Sequence, residues 1–555
     1  KYGIIIRLQK RLYLAYSYGK GMDVMKKKQM LATLVMLSLL QGSVYAEINE
    51  IPEVGKQYND FLIWGDEVQI NEYPTPEKHY YFNKGAQIGG ENGGTGNAVL
   101  IGQGDTPNVT FHVGKAEGKD YDLTLIGEDS GVKVSANAQF HIDGERTNIK
   151  FGPEQWDDYG EAATIYVEEN AVFTVNAANM WSTGGAETNL KLFDNAQATI
   201  NLTGDFIADA GGTGIANQNF YSDSKTNLTI NANNISLSTT DLASAERRAG
   251  LYLLAYNNGG NSTMEVNLNA KGNLDISGFS RGVQTFGSSD VDLTGSNVTI
   301  SALADDNGRG LNLDGYDAEK STNINIAAAN EVNIKASQRA IYATDRVNIE
   351  NISAKTVNIL GGEYGVYASK NSSINSVADT LTISAYDGWS VCLLSGSKAD
   401  FKAKKTTYNQ DIYVKGSEFN AFANENEVNG QVRVLDGGTA TFASANEDAA
   451  GTAKINHTTS DAVTATSDEK EVSEILFKQA TFINSQGDED YHADKQGVRT
   501  NSAIRANRNS EIILENAAGI YGDIIAGRGI SGSDAKGGQI TINSVDYADF
   551  KGDVL

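Results

Sequence analysis

Gly250-Leu251-Tyr252-Leu253, Gly282-Val283-Gln284-Thr285, Gly310-Leu311-Asn312-Leu313, Ala340-Ile341-Tyr342-Ala343, Gly365-Val366-Tyr367-Ala368, Ser390-Val391-Cys392-Leu393 and Asn420-Ala421-Phe422-Ala423 are seven copies of one phrase. Each runs from a small or polar residue through an aliphatic and a variable one to another apolar or small one. The copies follow one another at a nearly constant interval, from Gly250 to Gly282, Gly310, Ala340, Gly365, Ser390 and Asn420. A recurrence in the range of about 20 to 50 residues marks stacked units rather than one globular core.

Upstream of each copy the chain alternates apolar and polar residues, as in Ile235-Ser236-Leu237, Leu274-Asp275-Ile276, Val332-Asn333-Ile334 and Ile412-Tyr413-Val414. In most units a further alternating run precedes it, such as Leu228-Thr229-Ile230 or Ile324-Asn325-Ile326. A period of two sends alternate side chains to opposite faces, so each unit reads as three short strands, apolar inward and polar outward. The expected fold is all-β: a right-handed parallel β-helix with three strands per turn and an N-terminal cap. In it Leu251, Val283, Leu311, Ile341, Val366, Val391 and Ala421 stack as one interior column, with successive levels about 4.8 Å apart. Gly and Asn are expected at the corners, where left-handed backbone angles are needed. All five prolines fall before residue 154, clear of most of the ladder.

Composition agrees with a large ordered chain of acidic surface: 555 residues, a formal charge of −25 and 40% hydrophobic residues. No basic stripe is available for phosphates, which argues against a nucleic-acid partner. The single cysteine, Cys392, rules out an intrachain disulfide framework, and alternation puts it on the outer side of its strand. Residues 25–46 read as a cleaved export signal, with Met25-Lys26-Lys27-Lys28 as the positive end, Met30 to Leu40 as the apolar segment and Val44-Tyr45-Ala46 as the cleavage site. Residues 1–24 read as a mis-called upstream extension. The expected organisation is then a cap over 47–81, the β-helix over 82–426, a looser stretch with a loop excursion near Thr458 to Glu471 over 427–494, and resumed coil over 495–555. There Ile520-Tyr521-Gly522-Asp523-Ile524 recurs one repeat later as Phe550-Lys551-Gly552-Asp553-Val554, and the end of the chain within that phrase suggests truncation.

An export signal, an acidic cysteine-poor solenoid and terminal apolar-x-Gly-Asp-apolar phrases together resemble the passenger region of bacterial autotransporters, over roughly residues 25 to 555. The resemblance implies export to the periplasm, passage through an outer-membrane translocator barrel following the present sequence, and folding at the cell surface. No series of amphipathic membrane strands occurs before Leu555.

Motifs that tempt toward chemistry have plainer readings. Gly127-Glu128-Asp129-Ser130-Gly131 lacks the Gly-Asp-Ser order of a chymotrypsin-like nucleophile and reads as a strand-to-strand bend. Gly93 to Leu100 overlays a calcium nonapeptide once, with Ala98 at the ligand position, and Asp305 to Gly310 has Arg309 where a calcium loop needs an oxygen. The five histidines look scattered, so no metal or other cofactor is expected. The outward column of the third strand offers Tyr252, Tyr342, Tyr367 and Phe422 as a ligand-contact strip suited to sugars or a protein partner. The function expected is a non-enzymatic adhesive or structural stalk at the cell surface, with a host or matrix protein or a glycan as partner. The alternative is a polysaccharide-active β-helix enzyme, whose mark would be three acidic or basic side chains gathered in one groove. A purely structural surface-layer element would bind no ligand saturably.

Overall fold

The computed structural model describes residues 53–551 and Val554, apart from 66–67, 71–76, 90–95, 103–105, 154–162, 184–187, 222, 240–248, 256–261, 316–320, 447–450, 458–459, 469–470, 486–501, 528–535 and 544–548. The expected export signal and upstream extension lie outside the described residues. Every described regular element is a strand, and every strand pairing is parallel. Among the described residues seventeen strands, the third of each repeat, pair in linear succession from Val68–Ile70 to Asp523–Ala526, and the first and second strands form a 26-stranded set. Parallel neighbours require a long connection. Here the connection is the remainder of the repeat, as short as the stretch from Ile412 to its partner Val432 and as long as that from Val463 to its partner Ile504.

The alternating runs pair in consecutive register. Ile235, Leu274, Val298, Val332, Val357 and Leu381 form one column of the second strand, and Leu228, Val266, Val291, Ile324, Ile349 and Ile374 form one of the first. In several repeats these two strands fuse into one long strand with a register shift in its middle, as in Thr322–Ala336 and Val347–Gly361. In the third strand, Leu251, Val283, Leu311, Ile341, Val366 and Val391 stack as expected, all fully buried. Burying each such side chain contributes about 1.5–3 kcal/mol before ordering entropy is subtracted.

The column then departs from expectation. Ile412 follows Val391, while Ala421 pairs with Phe401 in the other set. The repeat shortens here, so Ile412-Tyr413-Val414 supplies a third strand although its pattern matches a second one. Further on, Val463–Thr466 is a paired strand inside the expected excursion, and Gln57–Tyr58, Leu62–Trp64 and Val68–Ile70 in the expected cap already pair with the next repeat. The recurring terminal phrase lands in register, with Ile520 beside Phe550 and Ile524 bridged to Val554.

The phrase begins with a small residue because strict alternation fails there. In Arg281–Phe286 both Gly282 and Val283 are buried, and Arg281 and Gln284 face outward on either side. A Cβ at Gly310 or Gly365 would lie 2.8 or 2.7 Å from the Cγ2 of Ile334 or Ile383, and the same side-chain position of Ile276 and Ile300 blocks Gly250 and Gly282. Ala340 and Ser390 take the same place, the Ser390 hydroxyl donating to the Ile383 carbonyl at 3.1 Å.

Asparagines divide between two corner roles. Asn137, Asn170 and Asn195 have positive φ, as expected of corner residues. At the bend between first and second strands the side chains form a ladder instead. Asn148 accepts from Asn179 at 2.9 Å, Asn179 from the Asp205 amide at 2.7 Å, Asp205 from Asn234 at 2.8 Å, and Asn273 from Asn297 at 2.8 Å. A second ladder, Asn176, Asn201, Asn231 and Asn269, runs at 2.9–3.1 Å along the first strands and borders a groove of about 490 Å³. Near both ends phenylalanines fill the interior: Phe82, Phe111 and Phe140 lie 5.2 and 4.9 Å apart, and Phe419, Phe442 and Phe477 lie 5.6 and 5.0 Å apart.

Replacing Gly310 by Val is expected to destabilise the protein by about 1–3 kcal/mol through overpacking, whereas Ala340→Ser should be nearly neutral, because Ser390 already occupies the equivalent place. Thermal or denaturant melts of the two variants check this pair.

Candidate functional site

The outward side of the third strands carries two adjacent columns. The first is Arg281, Arg309, Arg339, Tyr364, Trp389 and Asp411, each paired with the next. The second is Tyr252, Gln284, Asn312, Tyr342, Tyr367, Cys392, Tyr413 and Arg433. The arginines face outward because the small residue after each one breaks the alternation.

The two columns interlock. The Tyr342 and Tyr367 rings stack with centres 5.1 Å apart and planes 15° from parallel. The Arg309 guanidinium lies 4.6 Å from the centre of Tyr342, and that of Arg339 lies 4.9, 5.1 and 5.5 Å from Tyr342, Tyr364 and Tyr367. Tyr364, Trp389 and Tyr413 continue the aromatic face at 5.4 and 5.6 Å, and Arg433 closes it at 5.7 Å from Tyr413. Rings beneath guanidinium groups supply attraction that surface water would otherwise weaken.

Arg281 donates to the Ser280 and Asn307 carbonyls, both at 2.8 Å, and Arg309 donates to Asn312 Oδ1 at 2.7 Å. Among the described residues neither makes an ion pair with a carboxylate, whereas Arg339 lies 3.6 Å from Glu363. The Nε groups of Arg309 and Arg339 are buried without a protein acceptor. Burial, followed by the neighbouring Arg339 and Arg281 charges, lowers the pKa of Arg309, and burial lowers that of Arg281 against the opposing pull of Asp305. Arg281 and Arg309, on successive levels, border a groove of about 670 Å³, which Tyr252, Gln284, Tyr342 and Lys191 also line, and Arg339 stands one level beyond Arg309.

The expected strip is therefore partly assembled. Tyr342 and Tyr367 are in contact, while Tyr252 lies on the same column but is separated from Tyr342 by the Gln284 and Asn312 levels. Phe422 is excluded: it pairs with Lys402 and Ala443 in the other strand set, a consequence of the shortened repeat. Tyr413 stands where Phe422 was expected. The reading from alternation missed Tyr364, Trp389 and the three arginines, although Arg281-Gly282, Arg309-Gly310 and Arg339-Ala340 repeat a signal in front of the phrase.

Cys392 keeps its expected column but is buried, only 3% exposed, and burial pushes its thiol up to about 12. It is protonated at neutral pH and a poor nucleophile. Burial and then Glu363 push Tyr364 up to about 12 as well.

The histidines are not all scattered. His79, Thr110 and His141 share one column of the first strand, and Tyr81, His112 and Asp143 share the next but one. His79 Nδ1 and His112 Nε2 are hydrogen-bonded at 3.0 Å, and His112 stacks on Tyr81 at 4.7 Å. Among the described residues no three His, Cys, Asp or Glu side chains are placed to hold a metal ion. Ser130 is buried and donates to Asn97, and Asp305 accepts from the Asn307 amide in an exposed bend. The calcium-like phrase at Gly93 to Leu100 begins outside the described residues.

Compared with protein-family models, curated proteins and solved structures, the chain matches none of them. The fold and this face therefore carry the functional argument.

Desolvation depresses the pKa of His141 despite the opposing charge of Glu77. A neutral imidazole in the folded state means that the unfolded chain binds more protons below its pKa of about 6.5. Stability tied to His141 is thus present above that pH and lost as pH falls toward the folded pKa. Melting temperature measured from pH 7.5 down to 5 should fall less steeply in His141→Gln than in the parent.

Proposed function

We propose that the chain winds as a right-handed parallel β-helix with three strands per turn and acts as a non-enzymatic adhesive stalk at a bacterial cell surface. In this reading it is the passenger region of an autotransporter-like protein, exported by its leader and carried across the outer membrane by a translocator barrel. Support for the winding comes from the order of pairing. Each repeat contributes a first, second and third strand, and each pairs with its counterpart in the next repeat. The absence of any possible intrachain disulfide suits export as an unfolded chain.

The observation that carries the adhesive role is the half-buried aromatic and arginine face of Tyr342, Tyr364, Tyr367, Trp389 and Tyr413. Rings held rigid by stacking offer flat apolar area at low entropic cost, which suits the faces of sugars or an aromatic-rich protein partner. A host or matrix glycan is the ligand class we favour.

One observation favours a second reading, a polysaccharide-active enzyme: three basic side chains, Lys191, Arg281 and Arg309, do gather in one groove. Acid–base chemistry also needs a proton acceptor or donor poised beside the substrate. Of the nearby carboxylates, Glu363 is engaged with Arg339. Release of new reducing or unsaturated ends from an acidic polysaccharide incubated with the protein would favour the enzyme.

The double variant Tyr342→Ser, Tyr367→Ser should retain the parent melting temperature within a few degrees and lose about tenfold or more in binding to arrayed glycans and matrix proteins. Unchanged binding rejects the strip.

A further inference from the structure

We propose that Arg281, Arg309 and Arg339 form a binding site for an acidic polysaccharide lying along the stacking direction of the third strands, a specificity that rests on the adhesive reading above. Successive levels are about 4.8 Å apart, so the backbone positions of the three arginines span about 10 Å along one column. That spacing presents a repeating anion with one cation per level. A polymer with a carboxylate or sulfate on each sugar, or on alternate sugars, meets such a row repeatedly along its length.

The arrangement is built for an anion rather than left over from folding. A chain of net charge −25 gathers three arginines on consecutive levels, where their mutual repulsion opposes folding. Arg281 and Arg309 are held in place by neutral oxygens of Ser280, Asn307 and Asn312, which orient the guanidinium groups without neutralising them. Tyr342 lies under two of them. Guanidinium forks suit two-point hydrogen bonding to planar carboxylates and to sulfates. Among the described residues, the acidic groups around the row are Asp305, Asp314 and Glu363. Asp305 acts on Arg281 through its charge, Asp314 lines the groove, and Glu363 pairs with Arg339, so Arg281 and Arg309 are the principal anion contacts.

The remainder of the groove favours sugar over other polyanions. Gln218, Gln284, Thr188 and Thr213 line it with amides and hydroxyls that match sugar hydroxyl groups, and Tyr252 adds an aromatic ring for sugar C–H faces.

Binding of the full chain to polygalacturonate and to dextran sulfate, with neutral dextran, poly-glutamate and single-stranded DNA as comparisons, tests the site. The parent should bind one or both acidic polysaccharides and not dextran, with affinity falling as salt rises, and the polymer preferred identifies carboxylate or sulfate as the recognised group. Arg281→Gln with Arg309→Gln should weaken that binding about tenfold or more, through loss of charge-assisted hydrogen bonds, and flatten the salt dependence. Arg281→Lys with Arg309→Lys keeps the charge but removes the fork and should fall between, while Lys402→Gln in the other strand set should leave binding unchanged. Melting curves exclude unfolding as the cause, and the lysine pair keeps the test valid if the glutamine pair fails to fold. Equal affinity of parent and glutamine variant, or binding of poly-glutamate or DNA as tight as that of the polysaccharides, overturns the assignment. If matrix-protein or neutral-glycan binding persists undiminished in the glutamine variant without acidic-polysaccharide binding in the parent, the adhesive reading stands and this site falls. A parent that binds no glycan or protein at all removes both.

Discussion

In-register parallel pairing between successive repeats is the constraint from which the rest of the structure follows. Each residue sits directly beside its counterpart one level away, so whatever chemistry a position holds is multiplied along a column. Aliphatic positions become the continuous buried core that includes Val283, Leu311 and Ile341. Asparagines become amide ladders, each side chain satisfying its neighbour, and phenylalanines become interior ring stacks. One level alone would not repay its ordering entropy; the neighbours above and below supply the burial.

The same rule turns costly when the repeated residue is charged. Arginines on adjacent levels repel, and the structure offsets this with rings beneath them and carbonyl oxygens beside them rather than with a full set of carboxylates. The third-strand face is thereby distinguished from the first-strand face, whose ladder side chains are mutually satisfied. Electrostatic strain is concentrated where binding is proposed, and hydrogen-bond satisfaction is greatest where the role is structural.

Much of this was legible in the residues. Alternation identified the strands, and the phrase from Gly250 to Leu393 stacked in the order its spacing implied. Errors arose where two segments shared one pattern. Ile412-Tyr413-Val414 and Asn420-Ala421-Phe422-Ala423 both alternate, and only the ladder shows that the first is a third strand and that Ala421 lies beside Phe401. His79, His112 and Asp143 are far apart in the chain, so their meeting depends on repeat lengths that pattern alone leaves open. Cys392 sits in the column alternation assigns, yet its aromatic neighbours on adjacent levels leave it buried.

The order of residues by itself determined that the chain is built of short strands in repeated units, which side of most strands is apolar, and which phrase recurs. Those properties depend on local period and composition. The tertiary structure alone decided the registers between repeats and hence the identity of each column. It also decided the outward turn of Arg281, Arg309 and Arg339, because the small residue after each one sits inward beside the next, as where Gly282 and Gly310 pack against Ile300 and Ile334 of the next level. That packing is a contact between repeats, and no local period encodes it.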